Sequence, residues 1–348
     1  MRAAHISRKW QHYFAPVGGG GSILPLDIDF STLEDGALPS PLVGATWAVS
    51  SGVAVNTPTL GAELLTDPGL EANYTAGKCD TLTKSGGTPT LEEETVDVHG
   101  GSKAQKFTAA AAQDRLNYGA FAPESGIWAD VRVWGKRTTG SGGTPRLQID
   151  QSGGGADQVL NFEGTAWTER GTVAYLAGGL QTYFFPIREV GSSSFDTVIV
   201  DDGSIKAIPQ SELVALLPAT VADGVVKAQF GSQFYGTGGV VVRANAQTEP
   251  DSFIVVRFQR FSTNFLQFNI EKMVSGTLSQ LLSWQSKAFS AESWLEVQFD
   301  GDQVSAYYGE SQIGTTQTIS DAVGNKYHGI FGSSGVACTR FFCGADAE

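Results

Sequence analysis

Ile127-Trp128-Ala129-Asp130-Val131-Arg132-Val133-Trp134-Gly135-Lys136 alternates with a period of two. Ile127, Ala129, Val131 and Val133 fall on one side, and Trp128, Asp130, Arg132 and Trp134 on the other. That is the pattern of an antiparallel strand with one face in a core. The same period recurs where Ile254, Val256 and Phe258 interleave with Val255, Arg257 and Gln259, and where Leu266, Phe268 and Ile270 interleave with Gln267, Asn269 and Glu271. Phe299-Asp300-Gly301-Asp302 predicts a hairpin turn between strands 294–299 and 303–308, because Asp-Gly supplies positive φ angles. One run, 211–217, predicts a helix that Pro218 stops. The fold class is all-β.

Length and composition bound the rest. At 348 residues the chain has room for two domains, and a 41% hydrophobic content supplies their cores, which excludes wholesale disorder. A net charge of −13, from 23 basic and 36 acidic residues, argues against nucleic acid as partner, since phosphate binding needs a basic surface. No apolar run reaches the length of a membrane span. Cys79, Cys338 and Cys343 cannot all pair within one chain and show no zinc spacing, so free thiols are expected. The opening residues lack the apolar core of a secretory signal, which predicts synthesis in a cytoplasm.

Residues 1–22 differ in character from the rest of the chain. Arg2, Arg8 and Lys9 stand without any acid, Trp10, Tyr13 and Phe14 lie among them, and Gly18–Gly21 forms a flexible joint. Such a segment reads either as a disordered tail or as an attachment arm that orders on a larger assembly, with Arg8, Lys9, Trp10, Tyr13 and Phe14 as its contacts.

Catalysis finds no support. The four histidines, His5, His12, His99 and His328, join no nucleophile or metal motif, and Glu92, Glu93 and Glu94 are consecutive rather than alternating, so they do not flank a bond as glycosidase carboxylates do. Sugar recognition fits better. A pyranose stacks its C–H face on aromatic rings while polar side chains bond its hydroxyls. Trp128, Asp130, Arg132 and Trp134 share one strand face with that composition, and Trp167, Tyr175, Tyr183 and Phe184 can join from neighbouring strands. The competing reading makes Trp134 and Trp167 core rings. Arg257, Gln259, Gln267 and Asn269 read as a solvated outer face. Phe258 and Phe268 face one side of their sheet while Phe253, Phe261 and Phe265 face the other, so both sides need cover. A homo-oligomer, a trimer by preference, would supply it; so would a second unit of the same chain.

Residues 62–208 also carry a family pattern. Ala62–Glu71 resembles an opening "NLLxNPGFE", His99–Ala104 with Lys106 and Phe107 resembles "HGGSKA-K-F", Ile127–Lys136 resembles "YxVSxWVK", and Phe195–Ile205 resembles "FxVDDVSL". In this order they resemble a carbohydrate-binding module of the family 4 and 9 type. The resemblance implies a jelly-roll sandwich, glycan ligands, and a structural calcium ion at Gly69, Glu71 and Asp202, with Asp201 as a further candidate; the bland alternative is that Asp201 and Asp202 end a strand. The flanks, 27–60 and 219–348, resemble the two parts of a concanavalin A-like, laminin-G-like sandwich. The expected organisation is therefore an arm at 1–22, a discontinuous sandwich from 23–61 and 209–348, and a jelly roll at 62–208 nested within it, with tandem domains as the alternative. Two non-catalytic sandwiches with an arm resemble virion surface proteins of tailed bacteriophages, tail fibres or capsid decorations. That resemblance implies a place on the virion surface, other virion proteins as partners through the arm, and host or environmental glycans as ligands. A glycan-binding accessory module of a polysaccharide-degrading system is the alternative.

Overall fold

The computed structural model describes residues 26–344 apart from 113, 140–144, 153–157, 189–196, 220–222, 232–235, 261, 263 and 292. The protein is all-β, built as β-sandwiches from four large antiparallel sheets. Sheet I joins Leu26–Asp29, Gly36–Ala37, Trp47–Ser50 and Val53–Asn56 to Ala337–Gly344, Gly224–Phe230, Trp294–Asp300, Gln303–Tyr308 and two short edge pieces. Sheet II runs Val214–Pro218, Tyr327–Gly332, Thr237–Ala244, Phe253–Arg260, Phe265–Val274, Thr277–Ala288. Sheet III runs Thr168–Leu176, Ile127–Arg137, Thr197–Ile208, Ala104–Thr108, Thr90–Glu94. Sheet IV runs Gln158–Asn161, Arg146–Gln151, Thr182–Arg188, Arg115–Phe121, Leu82–Ser85. Among the described residues helical geometry is confined to two 3-10 turns, Phe30–Thr32 and Gln210–Glu212, and no helix is long and apolar enough to cross a membrane.

Chain order and sheet membership do not coincide. Leu26 pairs with Cys343 and Ala54 with Cys338, so strands from the two flanks share sheet I, while sheets III and IV draw only on 82–208. The chain enters and leaves this middle part side by side. Gly61 N–H donates to Ala207 O at 2.8 Å, Leu64 N–H to Ile205 O at 2.9 Å, and the Glu63 carboxylate accepts from the Ser204 hydroxyl and the Ile205 N–H.

Three apolar clusters follow from the strand periods. Between sheets I and II lie Phe30, Trp47, Val226, Ile254, Val256, Phe258, Phe268 and Val297. Between III and IV lie Val131, Val133, Leu147, Ile149, Phe162, Phe184, Val198 and Ile205. A third gathers Trp128, Val173 and Ile208 from sheet III against Val214, Leu216, Val241, Phe253, Val255 and Phe331 of sheet II. Sheet II is thus covered on both faces, which is why Phe253–Arg260 is buried at every position but the last.

This third cluster corrects several sequence expectations. Phe253 is buried in it, while Phe258 and Phe268 fill the I–II core, so the patch that called for a trimer is largely covered within one chain; Phe261 lies outside the described residues and Phe265 stays exposed. The supposedly solvated Arg257, Gln259 and Asn269 are buried there too. The expected helix at 211–217 is a strand, Val214–Pro218, paired with Tyr327–Gly332. Its Ala215 and Leu217 enter one core and Val214 and Leu216 the other, and an apolar run buried on both sides has no period that separates helix from strand. At the 294–308 hairpin Asp300 pairs with Gln303, leaving Gly301-Asp302 as the loop, and of its residues Gly301 alone takes a positive φ, 53°. All three cysteines are buried and free, and burial pushes the Cys343 thiol up to about 12.

The seam between sheets II and III is organised by one cation. Arg257, 1% exposed, donates to Val173 O at 2.5 Å and to Glu271 Oε1 at 2.8 Å, with its guanidinium 5.4 Å from the ring centroids of both Trp128 and Trp284. Asn269 donates to the same Glu271 oxygen at 2.7 Å. Val173 N–H donates to Thr237 Oγ1 at 2.9 Å. Val173 lies on an edge strand of sheet III, so sheet II side chains satisfy the backbone donor and acceptor that the edge leaves open. Arg257→Met would leave Glu271 buried without its cation and should cost about 3–5 kcal/mol in chemical denaturation, with Arg257→Met/Glu271→Gln recovering part of the loss. An Arg257→Met protein as stable as the parent would refute this account of the seam.

Candidate functional site

The strand Ile127–Arg137 does turn Trp128, Asp130, Arg132 and Trp134 outward from the III–IV core. They do not form an open platform. Trp128 lies in the seam with Tyr175, Phe331 and Arg257 packed against its ring and its indole N–H donating to Gln210 Oε1 at 3.1 Å, so its ring is already taken by the fold. Asp130 is buried and bonded by Arg132, which also reaches Glu169 at 3.1 Å. Trp134 is half-buried, with His99 stacked on it at 3.9 Å and 13°. Trp167 stands beside His99, donates to Asp97 Oδ1 at 3.2 Å, and has the Lys136 ammonium over its ring. Tyr175, on the seam side, donates its hydroxyl to Gly276 O. Tyr183 and Phe184 belong to sheet IV, with Phe184 in its core.

Gly69, Glu71 and Asp202 come together at the 99–103 turn. Glu71 accepts from Ser102 N–H, Ser102 hydroxyl and Lys103 N–H, and these bonds, the hydroxyl's foremost, hold its pKa below the usual carboxylate range. Gly101, with φ 59°, leaves the room that the Glu71 carboxylate fills. His99 Nδ1 lies 2.6 Å from Asp202 Oδ2, and Asp201 accepts from the His99 and Gly100 N–H groups at 3.0 Å each. Burial pushes Asp201 up to about 6. Asp201, Asp202 and Glu71 thus serve the turn itself. Among the described residues no three His, Cys, Asp or Glu side chains converge as metal ligands would, and the carboxylates of Glu71, Asp201 and Asp202 are engaged by groups of the turn. The attachment residues Arg8, Lys9, Trp10, Tyr13 and Phe14 lie outside the described residues.

The outer face of sheet IV holds what the sequence reading passed over. Leu116, Tyr118, Leu147, Ile149, Leu160 and Phe184 point into the III–IV core, and by alternation Arg115, Asn117, Arg146, Gln148, Asp150, Asn161, Tyr183 and Phe185 point away from it. The register sets Gln148 opposite Phe185 and Asp150 opposite Tyr183, with a bulge at Phe185–Pro186. Gln148 is 0% exposed, and among the described residues neither its amide oxygen nor its amide nitrogen has a hydrogen-bond partner. The Oδ1 atoms of Asn117 and Asn161 are likewise buried without a donor. Tyr183 stacks beside Phe185 at 6.2 Å and 14° and remains half-buried. Arg115 lies over the Phe185 ring, 4.9 Å from its centroid, with Nε donating to Ser85 Oγ at 2.8 Å. Of the sequence candidates, only Tyr183 shares this face. The others could have been found by applying the alternation rule to Arg146-Leu147-Gln148-Ile149-Asp150, which places a wholly polar row beside a wholly apolar one.

No family model matches the chain, and no curated protein matches it. Among solved structures it is similar to the CBM22-1 xylan-binding domain from Paenibacillus barcinonensis, at 12% identity and a TM-score of 0.33, over 44% of this chain and 97% of that one. The CBM22-1–CBM22-2 tandem domain from the same organism is similar over 84% of this chain and 99% of that one, at 7% identity and a TM-score of 0.34. A family 16 carbohydrate-binding module is similar at 15% identity and a TM-score of 0.30, over 38% of this chain and 96% of that one. Likenesses at this level do not say what this chain binds.

The two tryptophans of the 127–137 strand should part company on mutation. Trp128→Ala opens the seam and should cost about 3–5 kcal/mol, the range for truncating a buried ring. Trp134→Ala loses one stacked contact at a half-open position and should cost about 1–2 kcal/mol. Denaturant titration of both variants reads the difference, and equal losses would contradict the placement of Trp128.

Proposed function

We propose that residues 62–208 form a glycan-binding module set within a host sandwich built from the flanks, and that it takes its ligand on the outer face of sheet IV. One observation carries the reading. Gln148 holds, buried in that face, a complete amide, donor and acceptor, that no described residue satisfies, although a buried unpaired polar group costs about 1–3 kcal/mol. An amide presents both hydrogen-bonding roles that a sugar hydroxyl needs, and Asn161 on the adjacent strand and Asn117 two strands away each add an unpaired amide oxygen. Tyr183, half-buried beside the buried Phe185, adds aromatic surface of the kind on which the C–H face of a pyranose stacks. The sequence resemblance to carbohydrate-binding modules points to the same ligand class. Attachment to a particle surface through Arg8, Lys9, Trp10, Tyr13 and Phe14 is part of this proposal and rests on the basic, aromatic and glycine-jointed sequence of that segment; loss of incorporation on deleting residues 1–22 would support it.

A glycan array probed with the whole chain should give hits, and calorimetry with the best of them should show the dependence on sheet IV. Gln148→Met keeps the volume and removes both polar atoms. It should weaken binding about tenfold or more while leaving stability unchanged or raising it by about 1 kcal/mol. Tyr183→Ala should weaken binding with the fold intact by circular dichroism. An array without hits, or a Gln148→Met protein that binds as the parent does, overturns the reading.

A further inference from the structure

We infer that the ligand of sheet IV is an anionic polysaccharide, one whose sugars carry a carboxylate or a sulfate ester; the inference rests on the glycan-binding reading of that face. Three arginines stand in one register line across adjacent strands. Arg115 pairs with Arg188, and Arg188 with Arg146 on its other side, next to Asn161 on the fourth strand. Like charges set directly opposite one another disfavour a sheet, and this chain has only 23 basic residues against 36 acidic ones. Three of those basic residues share this one row, and Arg115 is the member whose contacts leave its fork open.

Arg115 gives the row a directed group. Its Nε is held by Ser85 Oγ and its guanidinium plane lies over Phe185, so the side chain is fixed at its base and on one face. Among the described residues its two Nη nitrogens meet no carboxylate. A guanidinium held in this way presents the planar fork that matches the two oxygens of a carboxylate or sulfate. Gln148 lies two residues from Arg146 on the same strand and opposite Phe185, so the hydroxyl-binding amide and the anion-binding fork flank one aromatic ring. The charge on the sugar and its hydroxyls would then be read side by side. Asp150 is the acid on this outward row, and it sits at the far end of it, opposite Tyr183.

Affinity electrophoresis of the whole chain tests this, with polygalacturonate as the carboxylate polymer, dextran sulfate as the sulfate polymer, and dextran and xylan as neutral ones. The charged polymers should retard the protein at least tenfold more strongly than the neutral ones, with the retardation falling as salt rises from about 20 to about 300 mM. Arg115→Gln should remove that preference while the circular dichroism spectrum is kept. Arg115→Lys should restore it only in part, since the charge returns without the fork. Whichever of the two charged polymers depends more on Arg115 identifies the anion. Equal retardation by neutral and charged polymers, still sensitive to Gln148→Met, overturns the anionic inference and leaves the glycan-binding reading standing. Retardation by charged polymers that ignores both Arg115→Gln and Gln148→Met overturns it too, as non-specific attraction. No retardation by any polymer removes both.

Discussion

The Arg257 guanidinium, held between two indole rings and bonded to one carboxylate and one carbonyl, decides how everything else is stacked. A charge taken out of water this completely is tolerated only where acceptors meet it, as they do at both Nη atoms, while its Nε has none among the described residues. Here those partners come from both sides: Glu271 and Trp284 from sheet II, Val173 O and Trp128 from sheet III. Sliding one sheet over the other would strand the cation, whereas Val241, Val255 and Phe253 alone would tolerate many registers. The apolar contacts supply attraction, and the ion pair supplies the single alignment.

That alignment fixes the layer order I–II–III–IV and leaves two broad outer faces. They differ in how their polar groups are satisfied. On sheet I, Lys227 pairs with Glu296 at 2.7 Å, Gln298 donates to Glu296 at 2.7 Å, and Arg340 reaches Asp27 at 3.1 Å, beside Trp294 and Phe342. On this surface the charged groups answer one another, with Arg340 Nε the one buried donor among them left without an acceptor. On sheet IV the Gln148 amide is left unanswered among a similar mixture of rings and polar groups. The contrast between two faces of the same molecule, more than either face alone, singles out sheet IV.

Periodicity revealed much of the fold and little of what the faces do. The alternation of Ile127–Lys136 correctly separated Val131 and Val133 from Arg132 and Trp134, because a strand's two sides are encoded locally. What covers a side is not local. Trp128 reads as an open sugar platform and Arg257 as a solvated charge, and each covers the other across 129 positions of sequence. The Gly301 turn was legible because a two-residue loop leaves its mark in two residues. The row Asn117, Gln148, Asn161 was not, since each member sits on a different strand and by itself looks like any polar residue facing water. Tyr183 stands out in the sequence as an aromatic residue, while the groups around it come from other strands.

The first strand of sheet I and its last lie side by side, Leu26 against Cys343, with the chain departing from the same end of the pair. A pull applied at these two points would peel the pair one hydrogen bond at a time, the mode in which a sheet offers least mechanical resistance. Sheets III and IV hang from a doubled stem at Gly61–Ala207 and Leu64–Ile205, outside the line of force until sheet I has opened. Tension along the chain would therefore strip the flanking sandwich first and reach the face that holds Gln148 last.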